Sequence, residues 1–182
     1  IQKQKLLFEI SRPCYKYIMK KFILIATIIL ALVLIGIYYF GFHTYFIENR
    51  VSETVPEMTP AETGQSTPQI KSLKQGSFTD ADFFHKGSGQ AMILEYPDSK
   101  KILRFENFEA VNGPDLYVYL SKTTAPTNDI ESLGDFVDLG RLKGNIGDQN
   151  YELPKNISIN DYSSVVVWCK KFGVLFPYAI LK

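Results

Sequence analysis

Apolar positions follow two regimes along the chain. Residues 22–42, FILIATIILALVLIGIYYFGF, form one unbroken run of 21 residues without a charge. At ~1.5 Å per residue this makes a helix of about 31 Å, the thickness of a bilayer core. From Leu73 onward apolar residues come in short alternating runs. QAMILEY (90–96) and KILRFENF (101–108) flank Pro97-Asp98-Ser99-Lys100, which predicts a hairpin. Leu103 and Phe105 share one face of the second strand, with Arg104 and Glu106 on the other. DLYVYLS (115–121) sets Leu116, Val118 and Leu120 against Tyr117 and Tyr119. Residues 136–139 and the stretch around Tyr151 and Leu153 read as short strands between glycine-rich turns. SSVVVWC (163–169) is apolar on both faces, which predicts a central strand covered on each side. VLFPYAIL (174–181) holds Pro177, which cannot donate to a ladder and so belongs at an edge or a bulge. Only 79–85 offers a weak helical period. About seven or eight short strands spaced by turns predict an all-β domain, an antiparallel β-sandwich or barrel-like fold. One transmembrane helix and a flexible linker precede it.

The stretch between the two regimes, ENRVSETVPEMTPAETGQSTPQIKS, holds Pro56, Pro60 and Pro68 and few apolar residues. Such a composition reads as a tether. The expected organisation is a cytoplasmic segment 1–21, a transmembrane helix 22–47, a linker 48–72 and a β domain 73–182. Lys16, Lys20 and Lys21 precede the span, whereas Glu48, Glu53, Glu57 and Glu62 follow it with Arg50. Basic flanks favour the cytoplasmic side, so the expected topology is N-terminus inside and β domain extracytoplasmic in a cell membrane. The far end of the span, GIYYFGFHTYFI, is bulky and aromatic, which suits a retained signal-anchor over a cleaved signal peptide. Met19-Lys20-Lys21 opens the run as such an anchor opens, and residues 1–18 then read as translated upstream sequence.

Charge changes the picture little. The net formal charge is +1, and residues 73–182 carry 12 Lys and Arg against 14 Asp and Glu. No basic stripe with interleaved aromatics appears, so nucleic acid is not an expected partner. The expected partners are the bilayer and a redox or surface protein.

Cys169 is the chief candidate for chemistry. Alternation puts it on the face of Val165 and Val167, a core-like setting that makes a thiol inert. Lys171 lies two residues on, and an ammonium on the same face favours a thiolate. Both readings stand at this point, a structural cysteine and a redox one. Cys14 lies across the predicted span, so by this topology no disulfide joins the two. His85 is the one histidine beyond the anchor region. With Cys169 it makes a candidate pair of haem-iron ligands, set against a plain turn histidine. Two such ligands are too few for a structural zinc site. LGRLKGNIGDQN lacks the Gly-Lys-Ser/Thr of a phosphate loop, and Gly140, Gly144 and Gly147 read as positive-φ turns. Asp115, Asp135, Asp138 and Asp148 match no calcium-loop spacing. Tyr117 and Tyr119 read either as a recognition surface or as residues covered by a facing sheet.

Five segments in order, HKGSGQA (85–91), LRFENF (103–108), NGPDLYVYLS (112–121), LGRLKGNIGDQNYELP (139–154) and VVVWCKKFGVLFPYAIL (165–181), resemble the DM-thirteen domain, or electron-transfer DM domain, over about residues 74–182. The resemblance implies a small β-rich domain, often extracytoplasmic, found beside DOMON domains and membrane cytochromes. It also implies a redox role through a cysteine that aligns with Cys169. Electrons would then pass to and from other proteins. Without a redox role the chain reads as a non-enzymatic surface binding or scaffold module.

Overall fold

A computed structural model describes residues 2–56 and 70–182. The chain divides into two compact units, 1–43 and 44–182. The first is helix α1, Gln2–Phe40. Its Tyr15–Phe40 part is long and apolar enough to cross a membrane, with mean hydropathy 2.7. The helix stops earlier than the expected 22–47 span. Gly41 takes φ 75°, a left-handed conformation that ends a helix without a Cβ clash, and its N–H returns to the Tyr38 carbonyl at 3.0 Å. A 3₁₀ turn, Phe42–Phe46, follows.

The second unit is one sheet of nine strands. They are β1 (Arg50–Ser52), β2 (Lys71–Thr79), β3 (Gly87–Glu95), β4 (Lys101–Ala110), β5 (Leu116–Ser121), β6 (Phe136–Arg141), β7 (Ile146–Glu152), β8 (Ser164–Cys169) and β9 (Val174–Ile180). Their spatial order is β1-β7-β4-β3-β2-β9-β8-β5-β6. All pairs are antiparallel except β1 on β7. β2 is the hinge of the curl. Lys71–Ser77 pair with β3, and only Phe78 and Thr79 pair with β9. The sheet is thus a curled half-barrel that folds its two wings over one core, where sequence predicted a sandwich or barrel.

That core is aromatic at its centre. Phe78 meets Phe105 at 4.8 Å and Phe108 at 4.7 Å, both edge-on, the arrangement ring quadrupoles favour. Val118, Leu120, Val165, Val167 and Phe176 close it from the other wing. β8 lies between β5 and β9 with every residue buried, as its two apolar faces require. Its outer face joins Val166 and Trp168 to Tyr119, Leu133 and Leu175. The cover is the β5–β6 connection carrying Leu133, not a facing sheet. Tyr119 also stacks on Phe136 at 4.5 Å, while Lys170 Nζ sits 3.6 Å over Tyr117. Pro177 lies in the irregular stretch of β8–β9 pairing between Val166 and Trp168. The hairpin at 97–100 is formed, with Ser99 at φ 66°.

Three local expectations change. Residues 79–85 form bends, not helix. Gly140 and Gly147 take φ 97° and 106°, but Gly144 does not; it is small because Val51 and the Asn49 carbonyl press against it. Residues 48–56, which read as tether, dock on the sheet, with Arg50–Ser52 forming its strand β1. β1 pairs with β7, and Glu53 accepts two bonds from Lys143 Nζ at 2.8 and 3.0 Å and one from Asn150 N–H at 2.8 Å. Residues 57–69 of the expected linker lie outside the described residues.

Candidate functional site

Cys169 is the last residue of β8, paired with Leu116 of β5 and Val174 of β9. Strand alternation turns it inward with Val165 and Val167, and it is 0 % exposed. The chain then reverses through Lys170–Gly173. Gly173, at φ 64°, donates its N–H to the Cys169 carbonyl at 2.9 Å, and Lys170 N–H donates to the Asp115 carbonyl at 3.0 Å. This reversal ends the alternation, so the Lys171 ammonium does not share the thiol's face. Its Nζ lies 5.6 Å over the ring of Phe172. Backbone hydrogen bonding at Phe172, Lys171 and Asp115 favours the thiolate instead. Burial pushes the thiol above its ordinary range, and this bonding pulls the other way without overcoming it. The sulfur therefore rests protonated.

Two neighbours complete the surroundings. Tyr45 packs against the core. Burial above all pushes its phenol above the ordinary range. Sequence reading put Tyr45 in the anchor's aromatic belt and missed it. His85 lays its ring on Phe176, 4.5 Å between centroids, and bonds Asp82 Oδ2 through Nδ1 at 2.8 Å. That bond, with the N–H groups of His85 and Phe84, holds the Asp82 carboxyl below its usual range. His85 thus sits in the β2–β3 loop with its Nδ1 engaged by Asp82. A cleft of about 490 Å³ opens nearby, lined by Tyr45, Ile47, Asp80, Lys86 and Glu109 among others. Neither Cys169 nor His85 lines it, so the two do not face each other across it.

The four aspartates weighed for calcium do not gather. Asp115 pairs with Arg141, Asp135 with Lys122, Asp138 with Lys170 and Asp148 with Arg104. Among the described residues no group of three His, Cys, Asp or Glu is placed to hold a metal ion.

Arg104 escaped sequence reading, which turned it outward. It is 4 % exposed. Nε bonds Glu106 at 2.7 Å and Nη2 bonds Asp148 at 2.8 Å. Nη1 reaches Asn150 at 3.0 Å and the Glu53 carbonyl at 3.1 Å. All its polar contacts are internal, so its role is to fasten residues 50–56 to β4 and β7.

No curated protein and no solved structure matches the chain. One family model does, and it begins within β2 and ends after β9, leaving β1 outside. It takes in Cys169 and all of the sheet from β3 to β9. Since the model described as electron transfer DM13 covers residues 77–181, more than half of the chain, the protein belongs to that family.

Proposed function

We propose that the chain is a membrane-anchored redox module whose β domain stands on the extracytoplasmic side and whose reactive atom is the Cys169 sulfur. Family membership supports the redox role, since the family is described by electron transfer. The apolar α1 supports the anchor, and Lys16, Lys20 and Lys21 ahead of its apolar core support the orientation. The single observation that carries Cys169 is its place as the free thiol of the family-matched domain, directly before the Lys170–Gly173 reversal, with backbone hydrogen bonding that favours the thiolate. Hydrogen bonding of this kind stabilises a thiolate during exchange.

The sulfur is enclosed at rest, so it acts when the Lys170–Gly173 turn opens. Cys169 then gives up its proton and its thiolate attacks a disulfide of a partner protein. A new S–S bond forms between the chains, the old one breaks, and the leaving sulfur takes up a proton. A second reading has an observation of its own in the complete burial of Cys169. In that reading the domain is a surface binding module and the cysteine only fills the core.

Oxidised glutathione, added to the folded protein in a Cys14→Ser background, separates the two. The redox reading expects a mixed disulfide at Cys169 forming well before global unfolding. Modification only after denaturation would overturn it in favour of the binding module.

A further inference from the structure

Four phenylalanines stand out from one end of the β unit. Phe46 is 90 % exposed, Phe83 77 %, Phe84 72 % and Phe172 42 %. They come from three segments: the turn leading into the unit, the β2–β3 loop and the β8–β9 turn. Tyr45, Ile47, Asp80 and Lys86 all line the cleft described above, so the first two segments are adjacent. The ring contact of His85 with Phe176 ties the β2–β3 loop to β9, just past the third segment.

The exposure is held by structure. Asp82 Oδ1 accepts from the N–H groups of Phe84 and His85, both at 2.8 Å, and Asp80 Oδ1 accepts from Gly87 N–H at 2.9 Å. Ala81 N–H closes the loop on the His85 carbonyl at 3.0 Å. Phe83 and Phe84 pack edge-on at 5.2 Å with both rings outward. Two lysines accompany the rings, Lys86 Nζ at 5.1 Å over Phe83 and Lys171 Nζ at 5.6 Å over Phe172. The nearby Asp82 carboxylate is turned to its own loop. Aromatic rings beside lysines are the composition that settles at a bilayer interface, rings at the acyl boundary and ammonium groups by the phosphates.

We propose that this end of the β domain docks on the lipid surface through Phe46, Phe83, Phe84 and Phe172, with Lys86 and Lys171 meeting anionic headgroups. The occupant is the bilayer because the chain enters the β unit at this same end, immediately after its apolar helix. The proposal rests on the membrane-anchored reading and adds an orientation to it. It also brings the turn that shields Cys169 against the lipid.

The test uses the full chain in nanodiscs of phosphatidylcholine with a minority of phosphatidylglycerol. Phe84→Trp probes the docking end, and Lys155→Trp the far end beside the 97–100 turn. Each is read against the parent, whose Trp168 is buried. Brominated acyl chains are expected to quench the added Phe84→Trp signal by about twofold or more while iodide leaves it unchanged. Lys155→Trp should behave in reverse. Iodide quenching of Phe84→Trp, with indifference to bromolipid, overturns the docking. Shielding in native membranes but not in nanodiscs also overturns it, since a protein then covers this end. Alkaline carbonate extraction reads the anchor separately. A chain that stays with the membrane while Phe84→Trp meets iodide sinks the docking alone, and a chain released by carbonate sinks both.

Discussion

Burial sets the acid–base behaviour of the thiol and of four phenols here. It raises the thiol of Cys169 and the phenols of Tyr45, Tyr96, Tyr119 and Tyr151 above their ordinary ranges. An acid whose folded pKa lies above its unfolded value holds its proton more tightly when folded. The stability it carries is complete below the unfolded pKa and drains away as pH rises through the folded one. The urea midpoint of the β domain should therefore be level around neutrality and fall above about pH 9, first with the thiol and then with the phenols. Cys169→Ala should lose the earlier part of that fall; a midpoint unchanged into strong alkali would contradict the burial. Arg104 is the one buried cation of the β unit among the described residues. Its carboxylate partners are about a third exposed, so water compensates part of its loss. Arg104→Ala should lower stability by about 2–3 kcal/mol. Arg104→Lys should recover little, because a single ammonium cannot serve four acceptors in a plane.

At the scale of elements, β1 is the informative strand. It docks in parallel because Gly147 can take φ 106° and leave room for the Val51 backbone, which a Cβ would strike. Gly147→Ala should weaken this pairing by about 1–3 kcal/mol. Amide exchange should then quicken at 50–53 and stay slow in β8. Acid should loosen the same segment. Burial raises the Glu53 carboxyl, but Lys143, the Asn150 N–H and Arg104 outweigh it and hold it below its usual range. Stability from a depressed carboxyl is present above its unfolded pKa and lost as pH falls through the folded one, here below about pH 4. β3, β4, β5, β8 and β9 were legible in sequence because alternation or a double apolar face marks them. β1 and β2 were not. KSLKQGSFT is polar and half-exposed for most of its length, and residues 50–56 carry Pro and Glu as linkers do. What holds β1 is a buried arginine and two glycines, Gly144 in the β6–β7 connection and Gly147 on β7, and local composition cannot report partners so distant in sequence. The site was legible in part for the same reason. Alternation placed Cys169 in the core, but only the turn after it brings the backbone of Lys171 and Phe172 to the thiol, and only strand pairing brings that of Asp115.

On the scale of the molecule, the two wings meet through β2, and its bond to β9 is short. Gly76 lies where β2 passes against the Ile180 backbone, with no room for a Cβ. Gly76→Val should accordingly open the curl and expose the aromatic core, seen as strong binding of a hydrophobic dye by otherwise β-rich protein. The residues that read as a spacer have a different bearing on the whole. Val55 and Ile70 both pack on the cluster of Leu94, Tyr96 and Ile102. The intervening stretch therefore departs from and comes home to a single spot on the β unit. A protease site inserted between 57 and 69, once cleaved, should yield two polypeptides that still sediment together and part only in denaturant. Severing the backbone there would not set the β domain adrift: the amino-terminal piece keeps its grip through β1, and the protein persists as a nicked heterodimer of its own halves.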